Sequence, residues 1–282
     1  MTVFLSLGFF FTLGVSDAPL QRVDASVRGS IEASLVRAEG KNGRSLAAQL
    51  ARLLAWQGDV VRDVHPDDRI RLIYRQNREP ELVALSYHGS AITLSAYLFR
   101  GPDGIERFYN SKGRLVEKSM NDSPVRDYVQ ITEGVQKGPG KRRHHGVDFK
   151  APEGIPIQLP FDASIRRLNW SRKTNGVCVE VSYTNGPAIK KRGRFLHLSK
   201  MTPGLKIGQR LKAGALLGRV GSTGRSSAPH LHYEVRGAKG EVFDPFAIHG
   251  FDRPQLTSES LAAFFVARNH FSALLEGQPP GI

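Results

Sequence analysis

Stretches in which apolar and polar residues alternate recur along this chain, and period-two alternation builds a strand with one face buried. Val177-Cys178-Val179-Glu180-Val181, Val147-Asp148-Phe149 and the run from Leu231 to Val235 all carry it. Many of the 29 glycines stand between such runs, and few windows are long enough for helices. The fold class expected is mainly β, built from antiparallel sheet. A chain of 282 residues can hold one large or two modest domains, each with its own core. Its single cysteine, Cys178, excludes an intramolecular disulfide framework. Its place in an alternating run marks it as a small buried hydrophobe.

The pattern divides the chain into three regions. Residues 1–120 read as a smaller α+β N-terminal domain. They contain a helical stretch from Ser45 to Trp56 and strands near Ile70 to Tyr74, Leu82 to Tyr87 and Leu94 to Phe99. Asn110 to Pro124, rich in Lys, Ser and Asn, connects this region to residues 121–250, which hold the β-rich motifs. Residues 251–282 form a C-terminal tail with a helix from Ser258 to Leu275, its apolar face made of Leu261, Phe264, Phe265, Phe271 and Leu274. Near the amino terminus, Val3 to Val15 is apolar enough for a signal core, yet no Lys or Arg precedes it. It is too short for a transmembrane helix, and a strand is the preferred reading.

Two histidine motifs carry the chemistry. In Pro229-His230-Leu231-His232-Tyr233-Glu234, residues two apart on a strand point to one face, so His230 and His232 reach a common site. In His144-His145-Gly146-Val147-Asp148, the glycine loosens the backbone and Asp148 points away from its apolar neighbours. Two imidazoles and one carboxylate leave a tetrahedral Zn²⁺ with an open position for water, the mark of a catalytic site. Either motif alone would be weak, since a His-x-His on a strand is commonly a surface or hydrogen-bonded pair. His197, inside Phe195-Leu196-His197-Leu198, could equally cap an apolar strand. The glycines from Gly214 to Gly224 lack the Lys-Ser/Thr ending of a phosphate loop and fit tight turns between short strands.

Taken together, these segments resemble the LytM/lysostaphin-type zinc metallopeptidases, which cut peptide cross-links in bacterial cell walls. The resemblance runs from about Tyr128 to Phe246 in five blocks: His144 to Gly154, Arg194 to Ser199, Gly208 to Gly218, Gly221 to Gly224, and Pro229 to Glu234. It implies that His144, Asp148 and His232 hold zinc, with His144 preferred to His145 because the family's four-residue step to the aspartate starts there. It further implies that His197 and His230 flank the open position. One of them would act as general base, both could donate hydrogen bonds to an oxyanion, and the two roles are not assigned separately.

The segment from Trp56 through Asp68 and the strands after it resembles, more loosely, the domain preceding the catalytic domain in Gram-negative multidomain murein endopeptidases. A D,D-endopeptidase of the cell envelope, periplasmic or secreted, is therefore implied. The alternative within the family is a catalytically silent regulator of cell-wall amidases, but such members have lost metal ligands that this chain keeps. The chain departs from the family in two places: Val129 to Gly140 replaces a longer Ser-x-Phe-Gly-x-Arg stretch, which would reshape one wall of the groove, and Ala228 stands where glycine is usual, a minor change.

A formal charge of +14 favours acidic partners. Peptidoglycan, with its stem-peptide carboxylates, is the expected one, and basic clusters at Lys137 to Arg143 and Lys190 to Arg194 could line a groove. No finger, helix-turn-helix or aromatic RNA-binding signature accompanies them, so no nucleic acid is expected. The protein is expected to be a monomer.

Overall fold

The computed structural model describes residues 18–136 and 143–278. The strand or signal segment expected over Val3 to Val15, and most of the basic cluster beginning at Lys137, lie outside the described residues. Among the described residues no helix is long and apolar enough to cross a membrane.

The N-terminal half comprises β1 (Leu20–Ser26), α1 (Ile31–Glu39), α2 (Lys41–Leu54), α3 (Val60–Asp63), β2 (Arg69–Arg75), β3 (Glu81–His88), β4 (Thr93–Arg100) and β5 (Glu106–Asn110). The five strands form an antiparallel meander in sequence order. Helix α1 starts where the Ser30 side chain accepts from the Ala33 amide. Helix α2 begins four residues before the stretch expected from Ser45. It buries Leu46, Leu50, Leu53 and Leu54 against Ile70, Leu72, Leu85 and Tyr87 of the sheet. Strand β3 is apolar at successive positions because both of its faces are covered.

The connection carries β6 (Ser119–Met120) and leads into β7 (Gln130–Glu133), β8 (Val147–Lys150), β9 (Pro156–Gln158), β10 (Ala163–Leu168), α4 (Arg172–Asn175), β11 (Val177–Tyr183) and β12 (Arg192–Leu198). After these come β13 (Lys200–Met201), β14 (Arg210–Leu211), β15 (Leu216–Arg219), β16 (His230–Arg236), β17 (Val242–Phe243), α5 (Pro245–His249), β18 (Phe251–Asp252) and α6 (Ser258–Leu275). An eight-stranded sheet runs β14-β10-β11-β12-β16-β8-β7, with β17 also paired to β16, and β13, β15 and β9 form a small second sheet. The architecture is mostly β and antiparallel, as the alternating runs imply. Phe149, Val179, Val181, Phe195, Leu231, Tyr233 and Val235 turn to one side of the large sheet as its core.

Two regions pack in ways the sequence left open. The connection after Asn110 is packed: Leu115 and Val116 are buried, and β6 pairs with β18. The helix expected over Ser258–Leu275 forms with those bounds and lies on the outer face of the five-stranded sheet. There Phe264 is fully buried among Tyr97, Phe99 and Tyr109 in edge-to-face contacts.

Candidate metal centre

Strand β16 is the axis of the site. It pairs with β8 on one side, setting His232 opposite Asp148, and with β12 on the other, setting His232 opposite Leu196. Period two puts Leu231 and Tyr233 into the core and His230 and His232 on the opposite face, as the sequence implies. His144 approaches from the segment leading into β8. Gly146 allows this by a different route from the one expected. Its backbone is not in the left-handed region, but a Cβ there would come 2.4 Å from the Tyr233 carbonyl oxygen. The glycine serves close packing of the incoming chain against β16.

Three donor atoms converge. Asp148 Oδ1 lies 3.1 Å from His144 Nε2 and 2.8 Å from His232 Nδ1, and the two nitrogens are 3.0 Å apart. Zinc bonds of about 2.0–2.2 Å at tetrahedral angles separate ligand atoms by roughly 3.3 Å. The set of two imidazoles and a carboxylate thus fits such an ion in chemistry and spacing, and these three residues form the one group of this kind among the described residues. His145 is not in it.

Each ligand candidate is oriented from behind. His144 Nδ1–H donates to the Gly134 carbonyl at 2.9 Å, and His232 Nε2–H donates to Glu234 Oε1 at 3.1 Å. These bonds fix which nitrogen of each ring faces the centre. Glu234 accepts in turn from Arg194 and Arg236, and Arg194 also donates to Glu180, whose side chain is fully buried. Burial disfavours the charges here, but the pairing overrides it. Asp148, between two imidazoles, is held well below the usual carboxylate range, Glu234 is lowered to about 2, and His232 is pushed up to about 9 by Asp148 and Glu234.

His197 and His230 stand beside this group, their rings 4.9 Å apart. His197, the last residue but one of β12, has its backbone in the left-handed region (φ 66°), uncommon for a residue with a side chain. Its Nδ1–H donates to the Thr223 carbonyl at 2.9 Å, and burial lowers its pKa. Thr223 is pinned on both sides, donating to the Leu198 carbonyl and accepting from the Val177 amide. Gly176 (φ 66°) fits against it where a Cβ would meet the Thr223 carbonyl oxygen at 2.4 Å. His230 Nδ1–H donates to the Ala228 carbonyl at 2.8 Å, and its Nε2 lies 3.8 Å from Asp148 Oδ2. The five residues singled out from the sequence therefore share one site.

Residues 142–245 match the model of peptidase family M23. The chain carries a domain of this family. Over 205 residues it is 30% identical to the peptidoglycan DD-endopeptidase ShyB of Vibrio cholerae, covering 68% of this chain and 46% of that protein. To ShyC of the same organism it is 27% identical over 199 residues, 66% of this chain and 43% of that protein. The chain thus spans less than half the length of either relative. The catalytic domain of lysostaphin from Staphylococcus simulans is 30% identical, covering 43% of this chain and 91% of that domain, with a TM-score of 0.38.

Within the M23 domain, some supporting residues went unrecognised in the sequence. Glu234 was readable, since it lies two positions from His232 on one strand face and must share its side of the sheet. Thr223 and Glu180 were not, because their partners lie 25 or more and 13 or 14 positions away, across strands whose register only the fold reveals. Of the second basic cluster, Arg194 lies on the face of the site. Arg192 pairs with Arg236 at the far end of β12, and Lys191 covers Phe243.

Proposed function

We propose that this chain is a zinc-dependent endopeptidase hydrolysing peptide cross-links of bacterial peptidoglycan, a D,D-endopeptidase cutting between D-alanine and diaminopimelate. The observation that carries this reading is the convergence of His144, Asp148 and His232 beside two further imidazoles whose Nδ1 hydrogens are already engaged. The names of the relatives, peptidoglycan DD-endopeptidases, support the substrate class. The proposed site of action is the cell envelope, periplasmic or secreted, and the proposed state a monomer. On this reading residues 121–250 are the peptidase, residues 1–120 an accessory domain that holds it in place, and residues 251–282 a helical tail clasping the accessory sheet.

Zinc, when held by His144, Asp148 and His232, supplies Lewis acidity toward an amide carbonyl and toward water. The chain's own contribution follows from its hydrogen bonds. With Nδ1–H given to a backbone carbonyl, each of His197 and His230 keeps its lone pair on Nε2 in the neutral ring. Either Nε2 can accept a proton and, once protonated, donate to an oxyanion or to the leaving amine. The strained backbone at His197 and the locked Thr223 carbonyl keep that ring from rotating away.

The test is release of soluble muropeptides from purified sacculi, with and without chelator, and mass spectrometry of the fragments. Chelator-sensitive cleavage restored by Zn²⁺ is expected. A folded protein that binds no zinc would sink the reading.

A further inference from the structure

The sheet face that carries the metal centre continues across β12 and β11 to β10, and the cross-strand register lines up a row of charges there. Glu234 pairs with Arg194, Arg194 with Glu180, and Glu180 with Arg167. At Arg166 the strand bulges, an extra residue between Ile165 and Arg167. A bulge re-aims a side chain, and here two successive arginines reach the same partner. Arg166 lies 2.9 Å and Arg167 2.8 Å from the Glu180 carboxylate, which Arg194 also contacts at 2.7 Å.

The row is unbalanced. Four guanidiniums, those of Arg166, Arg167, Arg194 and Arg236, face two carboxylates, those of Glu180 and Glu234. The surplus sits at the β10 end, where Glu180 is fully buried while Arg166 and Arg167 remain 45% and 41% exposed. Beside them, the Arg167 guanidinium stacks on Trp170 at 4.5 Å. Trp170 is held in a tight turn between two residues with left-handed backbone, Asn169 (φ 53°) and Ser171 (φ 52°). Its carbonyl accepts from Asn175 Nδ2, and the turn is tied to β11 by the bond from the Asn169 amide to the Cys178 carbonyl. A constrained backbone that presents a half-buried tryptophan against a stacked arginine is a built surface, not a loose loop.

We propose that Arg166, Arg167 and Trp170 form a substrate subsite that recognises a free carboxylate on the peptide being cut. This rests on the peptidase reading above. Arginine pairs bidentately with carboxylates, and a guanidinium already stacked and anchored loses little freedom on binding one. From β16 to β10 is three inter-strand spacings, about 14 Å, so an extended peptide crossing the sheet from the metal centre would bring a carboxylate to Arg167 within roughly three to five residues. The site would thus discriminate substrates by a charge remote from the scissile bond.

The test compares a cross-linked muropeptide bearing free carboxylates with the same muropeptide after amidation, using the full zinc-loaded chain. For the wild type, KM for the free acid should be about tenfold lower than for the amide, the size expected of one charged hydrogen-bonded pair. In Arg167→Gln this ratio should fall toward one, with kcat and zinc content retained, and Arg167→Lys should recover part of it. Glu180 keeps Arg166 and Arg194 in both variants, and Trp170→Phe, which leaves the ion pairs intact, gives an independent check should Arg167→Gln unfold. Equal KM values in the wild type, or a ratio unchanged in these variants, would overturn the proposal, as would a preference for any polyanion irrespective of the peptide. Binding is also read without turnover, from quenching of Trp170 fluorescence by the two muropeptides in a Trp56→Phe background. Selective quenching by the free acid with no cleavage would uphold the subsite and reject the peptidase reading, whereas cleavage without selectivity would do the reverse.

Discussion

The five-stranded and eight-stranded sheets are both antiparallel, yet they treat their two faces differently. The smaller sheet covers one face with α1 and α2 and much of the other with α6, and β3 between them is apolar at successive positions. The larger sheet buries Leu231, Tyr233 and Val235 on one face of β16 and turns His230, His232, Glu234 and Arg236 to the other. A strand apolar at both parities implies cover on both sides, whereas strict alternation implies a face left for something else. In this protein that second face holds polar groups that satisfy one another in a continuous network, from Asp148 through His232, Glu234 and Arg194 to Glu180.

Changes on the two sheets should therefore separate chemistry from stability. The largest effect is expected from Asp148→Ala, which removes the carboxylate that both candidate ligand imidazoles share: muropeptide release should become undetectable and zinc stoichiometry fall toward zero, while circular dichroism stays that of the wild type. On the other sheet, Phe264→Ala should cost about 3–5 kcal/mol in denaturant unfolding, as for other large aromatic truncations in cores, and leave zinc affinity unchanged. If instead it releases zinc, the two sheets are energetically coupled and stability and chemistry are not separable between them. Glu234→Gln comes next, weakening zinc binding by about 10–100-fold through the loosened His232 ring. Competition with a chelator measures this, and an unaltered affinity would show that Arg194 and Arg236 suffice without it.

A smaller effect concerns acid stability. Burial raises the pKa of Glu180, but its hydrogen bonds to Arg167 and Arg194 outweigh that and leave it below the ordinary value. A carboxylate lowered in the folded state adds stability above its unfolded pKa of about 4.3 and loses it as pH falls through the folded value. Wild type should accordingly lose stability more steeply than Glu180→Gln below about pH 4, which thermal melts across that range can resolve. The smallest effect is expected from Ser30→Ala, about 1 kcal/mol from the lost cap of α1, with no change in activity.

What the sequence made legible follows from how local each feature is. Alternation around His232 and Asp148 specified strand and facing, and the boundaries of α6 could be read to the residue. The destination of α6 could not be read, because an apolar helical face does not say which sheet it covers. Nor could the backing of His197 by Thr223, which depends on the turn at Gly176 meeting the turn at Gly224. Gly146 shows the same limit from the other side: its place between the histidines and Asp148 is plain from the sequence, but its reason, the carbonyl of Tyr233 lying where a Cβ would be, belongs to a strand 87 positions later.

The placement of α6 also bears on how the molecule is made. The outer face of the five-stranded sheet, with Val83, Ala84 and Tyr97, is covered by a helix that leaves the ribosome only after every strand of the eight-stranded sheet. At about 5–20 residues per second, the gap between β5 and α6 is on the order of ten to thirty seconds. During that interval the early sheet stands with one apolar side bare, and the pairing of β6 with β18 brings the chain back to it. Helix α6 therefore closes a sheet made well before it, and a nascent chain stalled within the peptidase region exposes an aggregation-prone surface that the folded protein hides.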